Sequence, residues 1–320
     1  MAKIIECVPN FSEGRDLQKV KRIVSPFENQ SRFKMISYEP DSDYNRTVVT
    51  LIGEAEAIMA ALIPFVQIAI EEIDMNVQKG EHPRIGAVDV IPFIPIQDVT
   101  IEECIEYSHQ TAKVLSERFN IPIFMYAKSA SCEERVSLPN IRKGEYEGMI
   151  SKITEPEWYP DYGQPKTHPT FGSVAVGARP ILVAYNLDLA TDNEKVANAI
   201  AKAIRQSSGG FQHIQAGPAF LEVRGHMQVT MNILDYTKNP MYRIFEVVKF
   251  EAKRFHVEVT SAEIIGLIPQ AALLDSIKYY LQVEGLPYDK NMSYQTMTAL
   301  AIQYLKLRDF SQEKIIETYI

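Results

Sequence analysis

Cysteine, tryptophan and the usual nucleotide-binding glycine motifs are scarce or missing from this sequence. Only three cysteines occur in 320 residues, Cys7, Cys104 and Cys132. Their odd number and the absence of CxxC spacing exclude a disulfide framework and a zinc site built on cysteine pairs, and fit a reducing cytoplasm. No GxGxxG, GxxxxGK[ST] or GxSxG occurs, which removes the dinucleotide, P-loop and hydrolase readings. No histidine pair has HxxxH spacing with a carboxylate, so no metal is expected. Positive charge is in deficit. The 33 Lys+Arg against 41 Asp+Glu leave a net charge of -8, the wrong sign for a general nucleic-acid binder. No apolar run reaches the ~18 residues of a membrane span. The longest candidate, 58–70, is interrupted by Pro64 and Gln67 and reads as a buried helix. The opening MAKIIECVPNF lacks the apolar core of a signal peptide.

What is there is an ordinary globular composition, 46% hydrophobic and 23% charged, long enough for about two domains. A strand is expected over 3–8, broken at Pro9, then a polar loop with Asn10 and Arg15 and a helix over 16–27. Strands follow at 33–39 and 46–53, joined by the turn Pro40-Asp41-Ser42-Asp43-Tyr44-Asn45. A long helix over 54–74 and a polar loop over 75–86 lead to a strand at 88–94. Thr100 and Glu103 have the spacing of a capping box for a helix over 101–119, and 121–126 reads as a further strand.

The order is β-α-β-β-α-β, the ferredoxin-like split βαβ. It recurs as a strand at 179–189, a helix to 206 capped by Thr191 and Glu194, strands at 212–223 and 226–235, a helix over 241–255 and a strand at 256–264. Pro269 then starts a helix to 283. The fold class is therefore α/β (α+β), two ferredoxin-like subdomains. The expected division is 1–177, with an aromatic linker over 150–177, then 178–285, then a helical tail over 286–320 with helices at 294–307 and 312–319.

The densest concentration of chemistry is Gly80-Glu81-His82-Pro83-Arg84-Ile85-Gly86. Imidazole is the usual general acid or base near neutral pH. On composition alone, a catalytic His82 competes with a solvated turn held by an ion pair. Asn10–Arg15 and Asn45-Arg46 are further loops with natural carboxylate holders, arginine by its bidentate fork. Ordinary turn chemistry is the alternative for both. Ser207-Ser208-Gly209-Gly210 is either a helix C-cap or a place where backbone approaches a flat ligand.

Longer motifs narrow these choices. Glu6-Cys7-Val8-Pro9-Asn10-Phe11-Ser12-Glu13-Gly14 and the stretch from Gly80-Glu81-His82-Pro83-Arg84 through Val88-Asp89-Val90-Ile91-Pro92-Phe93-Ile94-Pro95 resemble the signatures of the glutamate formimidoyltransferase family. Asn45-Arg46-Thr47, Trp158-Tyr159-Pro160-Asp161-Tyr162-Gly163 and Val176-Gly177-Ala178-Arg179 match in order, and the resemblance covers roughly residues 1–285. Ile91 stands where cysteine is frequent in the family, which removes a role for that thiol.

The resemblance implies two α/β subdomains with folate in a groove between them, usually as a homodimer. It implies transfer of the formimino group from N-formimino-L-glutamate to N5 of tetrahydrofolate, with tetrahydrofolate as cosubstrate and no metal. The catalytic histidine falls on His82, with Glu81 or Asp89 to orient it. Asn10, Asn45, Arg46, Arg84 and Arg179 become candidate holders of the substrate carboxylates. The folate stretches fall on Gly163–Gly172 and around Gly209–Gly217. They place Tyr162, Gly163, Lys166, His168, Phe171, Gly172, Gly209, Gly210, Phe211, Gln212 and His213 at the folate. The chain has no room for a fused cyclodeaminase, so a separate one is expected to take the product. Formyl transfer between 5-formyltetrahydrofolate and glutamate by the same site, or folate binding without transfer, are the competing readings.

Overall fold

A computed structural model describes residues 2–222 and 224–320. The chain divides into two compact units, Met1–Pro180 and Ile181–Ile320.

In the first unit, β1 (Ile4–Cys7) and β2 (Asn10–Phe11) share one lane of a sheet and are interrupted at Val8-Pro9. Helix α1 (Leu17–Val24) starts at Asp16, whose carboxylate accepts the Gln18 and Lys19 N–H groups. Next come β3 (Phe33–Asp41), β4 (Arg46–Glu54), α2 (Ala55–Glu72), β5 (Val88–Gln97) and α3 (Ile101–Phe119). The expected capping box is formed at α3, with Thr100 and Glu103 bonding reciprocally. The first lane pairs antiparallel with β4 on one side and β5 on the other, and β3 lies outside β4. That is the ferredoxin-like strand order. Beyond β5 the sheet is extended by two parallel strands, β6 (Ile123–Ala127) at the edge and β7 (Val174–Ala178) between β6 and β5. One face packs on the helices through Phe11, Phe65, Leu51, Phe93 and Val176. On the other face, α4 (Leu138–Arg142) and α5 (Glu145–Lys152) enclose a smaller core of Val90, Phe124, Tyr126, Ile141 and Met149.

The second unit repeats the pattern with β8 (Val183–Leu189), α6 (Glu194–Ile204), β9 (Ile214–Leu221), β10 (His226–Ile233), α7 (Met241–Lys253) and β11 (Val259–Ile265). Its sheet runs β11-β8-β10-β9, the same ferredoxin-like order. Helices α8 (Gln270–Val283) and α9 (Tyr294–Leu305) complete its core, to which Met297, Ala301, Leu305, Leu307 and Phe310 contribute. Residues beyond 285 are therefore part of this core.

Several local expectations are corrected. The 150–177 segment holds most of β7 as well as loop. The strand expected at 179–189 begins only at Val183. Helix α6 is capped by Asn193, whose side chain accepts the Lys195 N–H, and not by Thr191 with Glu194. The expected 312–319 helix is two short 3-10 turns. The end of the strand expected at 212–223 falls on Val223, which lies outside the described residues. No helix among the described residues is long and apolar enough to cross a membrane.

Candidate active site

The loop between α2 and β5 carries His82, and both its ends run against foreign backbone. A Cβ at Gly80 would stand 2.4 Å from the Tyr44 carbonyl oxygen, and one at Gly86 would stand 2.0 Å from that of Ser173. Only glycine permits this seating. Between them the Glu81 and His82 N–H groups donate to the Asp43 and Tyr44 carbonyls at 3.3 and 3.4 Å.

The other two polar loops meet it there. Asn45 adopts a left-handed backbone, φ 48°, which asparagine tolerates better than most residues. Its Oδ1 accepts the Gly14 N–H at 3.0 Å and its Nδ2 donates to the Lys79 carbonyl at 2.7 Å. Ser12 donates from its hydroxyl to the Gly86 carbonyl at 2.8 Å, and Thr47 from its hydroxyl to that of Glu13. The three loops thus form one surface. Asn45 ties them together, and Asn10 donates only to the nearby Val8 carbonyl at 3.0 Å.

His82 is 5% exposed, and its Nδ1 is sealed from solvent without a hydrogen-bond partner among the described residues. Burial pushes its pKa down to about 3. Asp89 pulls the other way, while Arg142, Arg46 and Arg84 add to the depression. The imidazole is neutral at physiological pH and free to accept a proton. Neither acid expected to orient it bonds to it. Glu81 is exposed. Asp89 is 1% exposed and accepts the Ile85 N–H at 3.0 Å and the Nε and Nη2 groups of Arg142. Asp89 therefore acts on His82 through its charge and through the backbone after it.

The three arginines differ in availability. Arg84 is 3% exposed and all five of its donors are used. They go to the Gln78 side chain and carbonyl, to Glu145 at 2.6 Å, and to both oxygens of Glu147 at 3.0 and 2.9 Å. Those bonds hold the Glu147 carboxyl down to about 2. Arg84 therefore has no donor for a substrate carboxylate, which corrects the sequence expectation. Arg142 is committed to Asp89. Arg46 is half-buried, its guanidinium lies 5.4 Å from the Tyr44 ring centroid, and its Nε is closed off from solvent with no partner among the described residues. Burial lowers its pKa, opposed by Asp41. A guanidinium with a desolvated, unbonded Nε on the same three-loop surface as a neutral imidazole is a seat for an anion near a base.

The other expected site residues have these surroundings within their own units. Phe171 is 0% exposed in the first core, so its ring is not available to stack on a ligand, which also corrects the expectation. The Tyr162 hydroxyl is 2.9 Å from His109 Nδ1. His168 and buried Gly172 exchange backbone hydrogen bonds, and His168 Nδ1 accepts the Phe171 N–H at 3.1 Å, which leaves the ring proton on Nε2. Gly163 and Lys166 are exposed. In the second unit Gly209, at φ 87°, caps a 3-10 turn, and Gly210 packs on the Ile204 backbone. Phe211 is half-buried and Gln212 exposed, while the His213 N–H donates to Gln206 Oε1 at 2.7 Å. Arg179 follows β7 and donates from Nη1 to the Pro180 carbonyl at 3.1 Å. The Asp89–Arg142 pair was not singled out from sequence, although a lone acid in the apolar run VDVIPFIPI was a usable signal. Among the described residues no cluster of three or more His, Cys, Asp or Glu could hold a metal ion.

Comparison with known proteins gives a consistent match. The model of the formiminotransferase domain, N-terminal subdomain, matches residues 4–179, and that of the formiminotransferase domain matches residues 184–320. The chain is 47% identical to a glutamate formimidoyltransferase of Streptococcus pyogenes serotype M1, over 91% of this chain and 98% of that one. It is 39% identical to the glutamate formimidoyltransferase of Thermoplasma acidophilum, over 88% and 93%. It is 36% identical to the formimidoyltransferase-cyclodeaminase of Gallus gallus, over 89% of this chain and 54% of that one.

Proposed function

The chain belongs to the formiminotransferase family, and from that premise we propose that it moves the formimino group of N-formimino-L-glutamate to N5 of tetrahydrofolate. The products are 5-formimidoyltetrahydrofolate and L-glutamate. The structural observation that best supports this reading is the pair of unbonded buried nitrogens, Arg46 Nε and His82 Nδ1, on one three-loop surface.

The chemistry follows from those two groups. Arg46 takes a carboxylate of formiminoglutamate. Tetrahydrofolate N5 attacks the amidine carbon, and neutral His82 accepts the N5 proton as the new C–N bond forms. The tetrahedral intermediate then expels the glutamate nitrogen, and His82 returns the proton to it. The imidazolium formed in the first step is the proton donor for the second. Carboxylate binding at Arg46 cancels one of the charges that depress His82, so the bound substrate itself raises the pKa of the base. Residues of 163–170 hold part of the folate, with His168 Nε2–H as a donor. A homodimer and a separate cyclodeaminase for the product complete this reading.

The first test is an absorbance assay of formiminoglutamate with tetrahydrofolate, run beside 5-formyltetrahydrofolate with glutamate. Turnover of the first pair well above the second is expected. Formyl transfer alone, or folate binding without turnover, would replace the proposal. A second test uses Arg46→Ala. The KM for formiminoglutamate should rise about 10–100-fold, the worth of a charge-assisted hydrogen bond, with the KM for tetrahydrofolate unmoved. Unchanged KM values for both substrates would remove Arg46 from the site.

A further inference from the structure

A second polar group stands on the first sheet, away from His82. Glu6 of β1 lies between Ile52 of β4 and Ile94 of β5. Its neighbours Ile5 and Cys7 point into the helix-covered core, so Glu6 points to the opposite face. Arg179 comes one residue after the Phe93–Ala178 pairing of β5 with β7, and its N–H donates to the Phe93 carbonyl at 3.0 Å. It stands level with Ile94, two lanes from Glu6 with β5 between them, on the same face. Tyr126 of β6 joins them there. The Arg179 guanidinium acts on both the Glu6 carboxyl and the Tyr126 hydroxyl.

Glu6 is 6% exposed as a residue, but neither of its carboxyl oxygens is sealed from solvent without a partner, so the carboxyl opens to solvent on this face. Arg179 donates to the Pro180 carbonyl at 3.1 Å and its guanidinium bonds to the Tyr126 hydroxyl, which leaves donors for a ligand. A solvent-reaching carboxyl and a guanidinium held on one face of a sheet can be bridged by a ligand that carries a donor and an anion. We propose that Glu6, Arg179 and Tyr126 form a second binding site, which takes a ligand group presenting an amide N–H beside a carboxylate. Arg179 grips the carboxylate and Glu6 accepts the N–H.

On the function proposed above, which this inference rests on, that group is the aminobenzoyl-glutamate end of tetrahydrofolate. Distance favours that assignment. Asp89, whose charge acts on His82, and Ile94, beside Glu6, are five residues apart on β5, about 16 Å at roughly 3.3 Å per residue. That matches the reach of a folate from ring N5 to its glutamyl carboxylates. A carboxyl at the reacting centre would have to lie much nearer. Burial pushes the Glu6 carboxyl up to about 7 against the pull of Arg179, so near neutral pH Glu6 only partly cancels the arginine charge.

The test compares equilibrium binding of tetrahydrofolate with that of tetrahydropteroate, which lacks the glutamate. The wild-type protein should prefer tetrahydrofolate by about 30-fold or more, the expected effect of losing one partner of a buried charge pair. Arg179→Met should weaken tetrahydrofolate alone and bring the ratio to near one. Glu6→Leu should narrow the ratio by about tenfold, while Glu6→Gln, which keeps an acceptor oxygen, restores most of it. Arg179 is partly exposed at a strand end, so its variant keeps the fold, which circular dichroism checks. A normal wild-type turnover with a ratio untouched by Arg179→Met overturns this site and leaves the proposed function standing. A rise in the KM of formiminoglutamate, with tetrahydrofolate binding unmoved, also overturns it. Absence of any folate binding by the wild-type protein overturns both.

Discussion

Replacing His82 with alanine is expected to lower kcat by about 10²–10⁴, the usual worth of one positioned acid–base group. Tetrahydrofolate affinity should stay near that of the wild type. His82 fills no core and bonds to no neighbour through its ring, so its removal should change chemistry more than fold. The pH dependence gives a sharper check. Burial and three guanidinium groups hold His82 near 3 in the free protein. As a base it is already deprotonated throughout the neutral range. The profile of kcat/KM, which reports the free enzyme, should therefore show no histidine inflection near the ordinary value of about 6.5. With formiminoglutamate bound, Arg46 is neutralised and the His82 pKa rises, so an inflection should enter the kcat profile at higher pH. It should vanish in His82→Ala. Turnover of His82→Ala within a few-fold of wild type would make His82 a turn residue and pass the acid–base role to His168 or to a bound water.

The fold and the site were legible in the sequence to different depths. Both ferredoxin-like units follow from element order, because strand alternation and helix caps are local signals. The capping box at Thr100 and Glu103 is one that the structure reproduces. Strand β7 was absorbed into the aromatic linker because Val174–Ala178 has no polar alternation. It is buried on both faces between two parallel neighbours, and such strands carry no period-2 signal. Helices α4 and α5 were missed for a different reason. They are short, and what holds them is distant in sequence: Arg142 on Asp89, and Glu145 and Glu147 on Arg84. Those same pairings explain why Arg84, a natural carboxylate holder by composition, is spent inside the chain. The turns that carry His82 and Arg46 could be read from sequence, because glycine, proline and asparagine mark them. Glu6 could not be read so, since its interest lies in its register with Arg179 across the sheet.

Asp89→Ala should be the most destabilising substitution in the first unit among those considered. The carboxylate is 1% exposed and carries two duties. It accepts the buried Ile85 N–H at 3.0 Å, which sets the end of the His82 loop, and it neutralises Arg142, which pins α4 to the sheet. Alanine leaves a mostly buried guanidinium without a counter-charge and a buried amide without an acceptor. Breaking a buried pair from one side costs about 3–5 kcal/mol. That is a large share of the roughly 5–15 kcal/mol that holds a folded protein together. Urea unfolding, followed by the fluorescence of Trp158, which packs against the core under α4 and α5, should show a lower midpoint with an unchanged slope. Asp89→Asn keeps an acceptor for Ile85 but loses the charge, so it should fall between wild type and alanine. It should also depress His82 further, because Asp89 is the group that favours the imidazolium. A midpoint for Asp89→Ala within about 1 kcal/mol of wild type would mean that Arg142 finds solvent or another acid, and that α4 is held by Ile141 and its apolar neighbours alone.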